Sequence, residues 1–300
     1  MESRRAEVNP PLAPGGARAY IPLMTGFRKM HGLGNDFVVF DARKQGLALD
    51  AATARAVADR RRGIGCDQVI VIRRGQDGAD AFMQVCNCDG TEVEQCGNAT
   101  RCVARLLMEE SGKSAVRIDT LGGPLLCSEA GGGAVTVDWG KARFAWDEVP
   151  MAEAADTNRF RLEVDGIAHE ASAVSVGNPH VVLFVADAEA APVTELGPRI
   201  ETHPMFPARA NVEFVSVEDG GRLRMRVWER GVGITQACGS GACAVAAAAH
   251  RRGLAGRKVD VVLDGGTLHL EVRESDDHIL MTGPSALSFT GDVDLKALAA

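Results

Sequence analysis

Polar residues recur at a fixed interval in the two halves of this chain of 300 residues. Four pairs are separated by 142 or 143 positions: Cys96 with Cys238, Asn87 with Glu229, Gln68 with Asn211, and Asn35 with Asn178. General identity between the halves is slight, but four pairs in register predict a duplicated domain with a pseudo-two-fold axis. A site between the halves would receive one equivalent residue from each.

Hydrophobic patterning predicts a mixed α/β fold with much antiparallel sheet, because compact β-branched runs alternate with a few amphipathic helices. Helices are predicted from residue 49 to Gly63, from 98 to Gly112, and from Cys238 to about His250. Residues 1–23 are rich in proline and glycine and predict a disordered leader. We predict an N-terminal domain of residues 24–140 plus 281–300, and a C-terminal domain of residues 141–280.

Composition excludes several classes of protein. A formal net charge of −7 argues against a nucleic-acid surface. The longest apolar run, residues 242–249, is too short to span a bilayer, and no signal peptide is recognisable, so we expect a cytoplasmic protein. Eight cysteines with no Cys-x-x-Cys spacing are too sparse for a disulfide scaffold and predict no metal site.

Two of the cysteines stand at the predicted starts of helices, each followed by glycine and a short polar residue: Cys96-Gly97-Asn98 and Cys238-Gly239-Ser240. Unpaired backbone N–H groups at a helix start can hold a carboxylate, and glycine lets the backbone approach a ligand closely. The positive end of the helix dipole stabilises a thiolate, so we expect a lowered thiol pKa.

Paired thiols suggest a specific chemistry. A lone Cys-Gly step is usually packing, but two of them related by a pseudo-two-fold would clamp one α-carboxylate and aim sulfur at both faces of one α-carbon. One thiolate would remove the α-proton and the opposite thiol would deliver another, which inverts the centre. Covalent cysteine catalysis needs one nucleophile only and leaves the second thiol unexplained. The residues therefore favour a two-thiol racemase.

Six segments resemble the signature segments of the diaminopimelate epimerase family, in the family's order: KMHGLGNDFVVFD, GIGCDQ, NCDGTEVEQCGNATRC, VSVGNPHVV, RVWERGVG and QACGSGACA. The resemblance extends from about residue 27 to 283. It implies two similar domains, each a mixed, mainly antiparallel sheet curled around a central helix. It also implies that the protein interconverts L,L- and meso-diaminopimelate in lysine biosynthesis, and that the product is a peptidoglycan precursor. The reaction would need no pyridoxal phosphate, other cofactor or metal, and the protein would be a homodimer.

The same resemblance implies roles for individual residues. Cys96, Cys238, His180 and Glu229 would be catalytic. The substrate-contact positions would be Asn35, Gln68, Asn87, Gly97, Asn98, Asn178, Asn211, Glu229, Arg230, Gly239 and Ser240. For His180 a structural turn is an equal alternative. Three positions depart from the family's pattern: Ile234 beside the second cysteine segment, Ala99 after CGN, and Phe289 near the dimer contact.

Three alternatives stay open on the sequence. Another two-cysteine amino-acid racemase would leave Glu229, Arg230 and the asparagines without partners, because its substrate has a single amino-acid end. An inactive amino-acid-binding protein would have no need of both cysteines. A pyridoxal-phosphate racemase needs a Schiff-base lysine, and none of the lysines stands in a recognisable cofactor setting.

Overall fold

The computed structural model describes residues 24–44, 46–47 and 49–299; the predicted leader, residues 1–23, lies outside them. The first half of the chain begins with two paired strands and contains one long helix. Its strands are β1 (Met24–Gly32), β2 (Asn35–Asp41), β3 (Gln68–Arg74), β4 (Ala81–Asn87), β5 (Glu92–Val93), β6 (Ala115–Thr120), β7 (Gly123–Glu129) and β8 (Ala134–Lys141). Its helices are α1 (Ala51–Ala58) and α2 (Gly97–Ser111).

The second half has the same order of elements and adds a strand at its start, a C-terminal strand and a short helix. Its strands are β9 (Phe160–Val164), β10 (Ile167–Ser175), β11 (Pro179–Phe184), β12 (Asn211–Val217), β13 (Leu223–Glu229), β14 (Gly233–Ile234), β15 (Lys258–Leu263), β16 (Gly266–Val272), β17 (His278–Pro284) and β18 (Ala286–Asp294). Its helices are α3 (Val193–Glu201), α4 (Gly239–Arg251) and α5 (Leu295–Leu298), with a 3₁₀ turn at Asp219–Gly221.

Strand pairing repeats between the halves, element by element. In the first half β2 pairs parallel with β3, β3 antiparallel with β4, and β4 parallel with β6. In the second half β11, β12, β13 and β15 are joined in the same order and with the same directions. The remaining pairs, β6–β7–β8 and β15–β16–β17, are antiparallel in both. The predicted mixed, mainly antiparallel and duplicated fold is confirmed.

The two halves exchange strands at their boundary. β17 pairs antiparallel with β8, and β18 returns across the molecule to pair with β1, as β9 pairs with β10 within the second half. The pairing of β18 with β1 agrees with placing the last residues in the N-terminal domain. The domain boundaries at residues 140 and 280 stay a prediction.

Each half curls its sheet around one long helix, which is buried because it meets strands on several sides. α2 contacts β1, β6, β7 and β8, whereas α4 contacts β10, β11, β12, β15, β16 and β17. Alanine is the commonest residue of α4, and every alanine of the helix is buried. Small side chains let surrounding strands approach closely, so the Ala-rich segment forms the centre of a domain and not a surface helix.

Two of the three predicted helix ends are confirmed, and one is wrong. α2 ends before Gly112, which adopts the left-handed conformation (φ 71°) that glycine tolerates at a helix C-terminus. α1, predicted to continue to Gly63, ends at Ala58. The carboxylate of Asp59 accepts hydrogen bonds from the backbone N–H groups of Arg61 and Arg62 and thereby holds a turn that competes with the helix. Within the described ranges, none of the helices has the length and apolar character needed to cross a membrane.

Candidate active site

The long helices of the two halves begin at the same place. Cys96 and Cys238 are the N-cap residues of α2 and α4. A Cβ atom built on Gly239 would lie 3.6 Å from Cα of Gly97 and 3.5 Å from Oδ1 of Asn98, so the two helix starts are in contact. Nδ2 of Asn98 donates to the carbonyl of Ala237 (2.8 Å), which ties one helix start to the segment that precedes the other.

Glycine is required at these helix starts by packing as well as by access to a ligand. A Cβ on Gly97 would approach the ring of Trp139 to 2.5 Å, closer than any real contact. On Gly241 it would lie 2.9 Å from Oε1 of Glu213. A side chain at Gly97 would therefore push α2 away from its sheet and displace the thiol that it carries.

A cavity of about 190 Å³ opens between the two helix starts. All the predicted site residues except His180 line it: Asn35, Gln68, Asn87, Cys96, Gly97, Asn98, Asn178, Asn211, Glu229, Arg230, Cys238, Gly239 and Ser240. A larger groove of about 780 Å³ beside Arg73 and Arg117 contains none of them. The repeat found in the sequence thus converges on one cavity, to which both halves contribute.

His180 is fully buried behind the cavity wall. Its Nε2 donates to Oδ1 of Asn178 (2.9 Å), and its Nδ1 contacts Oε1 of Glu213 (2.7 Å). Nδ2 of Asn178 lies 3.5 Å from the hydroxyl of Ser240, which lies 3.5 Å from Sγ of Cys238. His180 therefore reaches the second thiol only through other side chains, as a positioning residue.

The equivalent asparagine of the first half is held differently. Nδ2 of Asn35 donates to Oδ2 of Asp67 (2.9 Å), and Arg60 donates to the other oxygen of that carboxylate. Oδ1 of Asn35 is consequently turned toward Nδ2 of Asn98 (3.1 Å) and Sγ of Cys96 (3.8 Å). Sequence reasoning missed Asp67 and Glu213 as site residues. Asp67, directly before Gln68 in GIGCDQ, carried a signal, whereas Glu213 carried none.

The far end of the cavity is lined by groups suited to an amino acid. Nε2 of Gln68 donates to Oδ1 of Asn87 (2.9 Å), and Oδ1 of Asn211 accepts the backbone N–H of Arg230 (2.9 Å). The Arg230 guanidinium lies 3.6 Å from the carboxylate of Glu94, which is half-exposed at the mouth of the cavity. An arginine fork here can exchange this loose contact for a bidentate bond to a carboxylate.

The predicted lowering of the thiol pKa is wrong. Burial raises the pKa of Cys96 to about 12 and that of Cys238 well above its usual value. Backbone N–H groups at the helix starts do lower both values, but they are outweighed by desolvation and by the negative charge of Glu229, with Glu213 adding to it at Cys238.

The pKa of Glu229 is also raised, as are those of the two thiols. Burial raises its pKa to about 7, and hydrogen bonds from Thr235 and Cys238 oppose that rise. A carboxyl group that titrates near neutrality, in contact with a cavity thiol, can exchange a proton with it. In the first half the equivalent position is Asn87, which cannot titrate.

Comparison with known proteins identifies the family. The family model for diaminopimelate epimerase matches residues 27–145 and 172–288. The chain belongs to the diaminopimelate epimerase family. The diaminopimelate epimerase of Rhodospirillum centenum is 51% identical over 268 residues, with 89% of this chain and 91% of that protein covered. That of Erythrobacter litoralis is 54% identical over 270 residues, with 89% and 97% covered. Family membership makes the protein an isomerase.

Solved structures of distant relatives have the same fold. A hydroxyproline epimerase from Agrobacterium vitis superposes with a TM-score of 0.67 at 16% identity, covering 91% of this chain and 94% of that one. A probable proline racemase from Agrobacterium radiobacter gives 0.67 at 15% identity, covering 90% and 92%. A methylitaconate-delta-isomerase gives 0.58 at 13% identity, covering 93% and 97%. At these identities the likeness concerns the two-domain fold alone.

Proposed function

We propose that this protein interconverts L,L- and meso-diaminopimelate by proton transfer between Cys96 and Cys238, on the route to lysine, without a metal or pyridoxal phosphate. The observation that carries the proposal is the meeting of two helix starts, each with a cysteine, at one cavity. The names of the relatives at about 50% identity support the substrate.

The helix starts supply the carboxylate site of the reacting end. The first backbone N–H groups of α2 and α4 carry the positive ends of the helix dipoles, and an α-carboxylate binds between the two helix starts. The thiolate of one cysteine takes the α-proton from one face, and the thiol of the other gives its proton to the opposite face. The second sulfur leaves the turnover as the thiolate, so protons balance, and the reverse reaction uses the same two groups in exchanged roles.

The proposed mechanism must also overcome the raised pKa values of the two thiols. The protein must form a thiolate that burial disfavours. Glu229, a carboxyl group of the cavity with a pKa of about 7, can accept the proton of the Cys238 thiol. A carboxyl group that binds or releases one proton near neutral pH can help to keep one thiol protonated and the other deprotonated. We assign Glu229 this proton-exchanging role and His180 a positioning role through Asn178.

The far end of the cavity distinguishes diaminopimelate from substrates with one amino-acid end. Arg230 would bind the distal carboxylate, with Asn87 and Asn211 completing the hydrogen bonds of that end. The alternative, a racemase of the same architecture acting on proline or hydroxyproline, would leave these polar groups desolvated and unpaired.

A homodimer in the cytoplasm is also part of the proposal. Leu287 and Phe289 on β18 are each 50% exposed, and Phe289 stacks edge-on against Phe27 with centroids 6.0 Å apart. Exposed apolar side chains on an outer strand are suited to contact with a second copy. Sedimentation of the wild-type protein beside a Phe289→Asp variant tests this, since the variant is expected to sediment as a monomer.

The activity is tested by incubating the protein with L,L-diaminopimelate in heavy water. We expect the meso isomer to appear together with deuterium at the α-carbon. Parallel incubations with L-proline and trans-4-hydroxy-L-proline test the alternative. Absence of both isomerisation and deuterium from diaminopimelate, with exchange in one of the other two, would overturn the assignment in favour of the alternative.

A further inference from the structure

One buried charge of the molecule has no counter-charge in the fold. Arg101, on the first turns of α2, has no solvent exposure. Its guanidinium donates to Oδ1 of Asn98 (2.9 Å) and to the carbonyl of Pro284 (3.2 Å), and lies 3.6 Å from Sδ of Met281. All three acceptors are neutral, and no ion pair formed among the described residues includes Arg101.

A buried guanidinium without a carboxylate is costly, because its desolvation is not offset by an ion pair. The fold nevertheless makes room for it. A Cβ on Gly32 would lie 2.9 Å from the guanidinium, and one on Gly283 would lie 3.2 Å from it. A neutral residue could hold Asn98 by a hydrogen bond, so the hydrogen bond alone does not explain the charge.

The second half lacks this charge. The position equivalent to Arg101, at the same interval of 142, is Cys243 on α4, which is also fully buried. In place of a cation, the second half turns two carboxylates toward its thiol, Glu229 from β13 and Glu213 from β12. Cys96 is faced by Arg101 from its own helix and by Glu229. Glu229 thus acts on both thiols, and the first helix start adds a cation where the second adds the carboxylate of Glu213.

We propose that Arg101 is the built-in counter-charge of the anions that form at the start of α2, and that it makes Cys96 the more acidic of the two facing thiols. The inference rests on the proposed function, because it concerns the two thiols assigned to proton transfer. Arg101 touches neither substrate nor the reacting sulfur, and it acts as a positioning residue through its charge and through Asn98. The effect of Arg101 on Cys96, which lowers its pKa against the effect of burial, agrees with this assignment.

The test measures each thiol by its rate of alkylation with iodoacetamide as a function of pH, read by peptide mapping. Thiolates react and thiols do not, so the rate reports the acidity of the sulfur independently of turnover. Because burial places the midpoints near or above pH 12, each midpoint is extrapolated from rates measured between pH 7 and 9, where the rate rises tenfold per pH unit. Cys96 is followed in a Cys238→Ser protein and Cys238 in a Cys96→Ser protein. We expect the lower midpoint at Cys96, and an equal or higher midpoint there would overturn the proposal even in the absence of any Arg101 variant.

Arg101 variants in the Cys238→Ser protein then separate charge from packing. Arg101→Met should raise the Cys96 midpoint by about 1–3 pH units, the usual effect of removing a nearby opposite charge. Arg101→Lys should restore most of the shift, since it keeps the charge and loses the planar fork. Arg105→Met, one turn along α2 and paired with Glu109, is the matched control and should change nothing. A folded Arg101→Met protein with an unchanged midpoint would overturn the proposal.

Failure of this inference is distinguishable from failure of the proposed function. If diaminopimelate is not epimerised but the midpoints behave as expected, the charge assignment stands and the substrate is wrong. If epimerisation is normal and the midpoints of Cys96 and Cys238 coincide, the activity stands and Arg101 has only a packing role.

Discussion

The starts of α2 and α4 have nearly the same backbone and different electrostatic surroundings. Both begin with cysteine and glycine, and both face one cavity. In the first half, the asparagine beside the thiol is held by Asp67 and presents its oxygen to Cys96. In the second half, the asparagine is held by His180 and presents its amide nitrogen to Ser240.

This difference indicates that a duplicated fold that inverts a carbon centre needs unequal surroundings for its two thiols. In the proposed mechanism the two sulfurs face one carbon from opposite sides, and one is charged while the other carries a proton. Identical surroundings would make the two assignments of that proton equal in energy. By our inference, the second carboxylate at Cys238 and the cation near Cys96 remove that equality, while the backbone of the two helix starts stays alike.

The largest expected effect tests whether both halves are needed. Replacing either Cys96 or Cys238 by serine should lower kcat for epimerisation by about 10²–10⁴-fold, because an alcohol is too weak an acid to exchange the proton at neutral pH. Circular dichroism should show an unchanged fold. Cys127→Ser, at a buried cysteine on β7 outside the cavity, is the control and should affect stability alone. Near-normal turnover by either single variant would eliminate the symmetric two-thiol mechanism.

A second prediction contrasts the two asparagine supports. The His180–Glu213 pair is entirely buried, whereas the side chains of Asp67 and Arg60 are 40% and 57% exposed. Glu213→Ala should lower the free energy of unfolding by about 1–3 kcal/mol, since the buried Nδ1 of His180 is left without its hydrogen-bond partner. Asp67→Ala should lower it by about 1 kcal/mol, since water replaces the lost contacts. Urea denaturation measures both, and equal losses would mean that the supports do not differ in this way.

The sequence was sufficient to predict the duplicated architecture, because the repeat, the strand runs and the long helices are local patterns. β18 was not among the predicted strands. Most of its residues are partly or fully exposed, so they lack the apolar alternation that marks a strand, and it is stabilised by pairing with β1 at the other end of the chain. The end of α1 was missed because the Asp59 turn competes with a continuing helix.

For the site, the sequence predicted which residues meet but not their protonation. The interval between the repeated residues and the sequence motifs were enough to predict that Cys96, Cys238 and the asparagines lie at one cavity. Thiol acidity depends on burial and on carboxylates contributed by distant strands, such as Glu213, and neither is visible in a Cys-Gly step. Arg101 was overlooked for the same reason, since an arginine on a helix is usually solvent-exposed.

A third prediction concerns the distal end, where the halves contribute different groups. Arg230→Lys should lower kcat/KM for diaminopimelate by about ten- to a hundredfold, or about 1–3 kcal/mol, because lysine keeps the charge and loses the bidentate fork. Arg226→Lys, on β13 shortly before Arg230 and outside the cavity, is the matched control. If Arg230→Lys and Arg226→Lys behave alike, Arg230 does not hold the distal carboxylate.

The smallest expected effect is a pH dependence that only the second half can produce. Burial raises the pKa of Glu229 from 4.5 to about 7. The unfolded chain therefore releases this proton at lower pH than the folded protein, so the folded state binds more protons between about pH 4.5 and 7. The stability contribution of Glu229 is fully present below pH 4.5 and is lost as the pH rises through 7, with a slope of at most about 1.4 kcal/mol per pH unit. Asp36 has its pKa lowered to about 2 and loses its contribution only at more acidic pH, so it does not interfere above pH 5.

Subtracting the stability of a Glu229→Gln variant from that of the wild type at each pH isolates this slope, because glutamine does not titrate. Asn87→Ala, at the equivalent position of the first half, should leave the pH dependence as it is. A difference curve that is flat from pH 5 to 7, or that rises, would show that Glu229 is ionised in the folded protein and that the second thiol has no proton-holding neighbour.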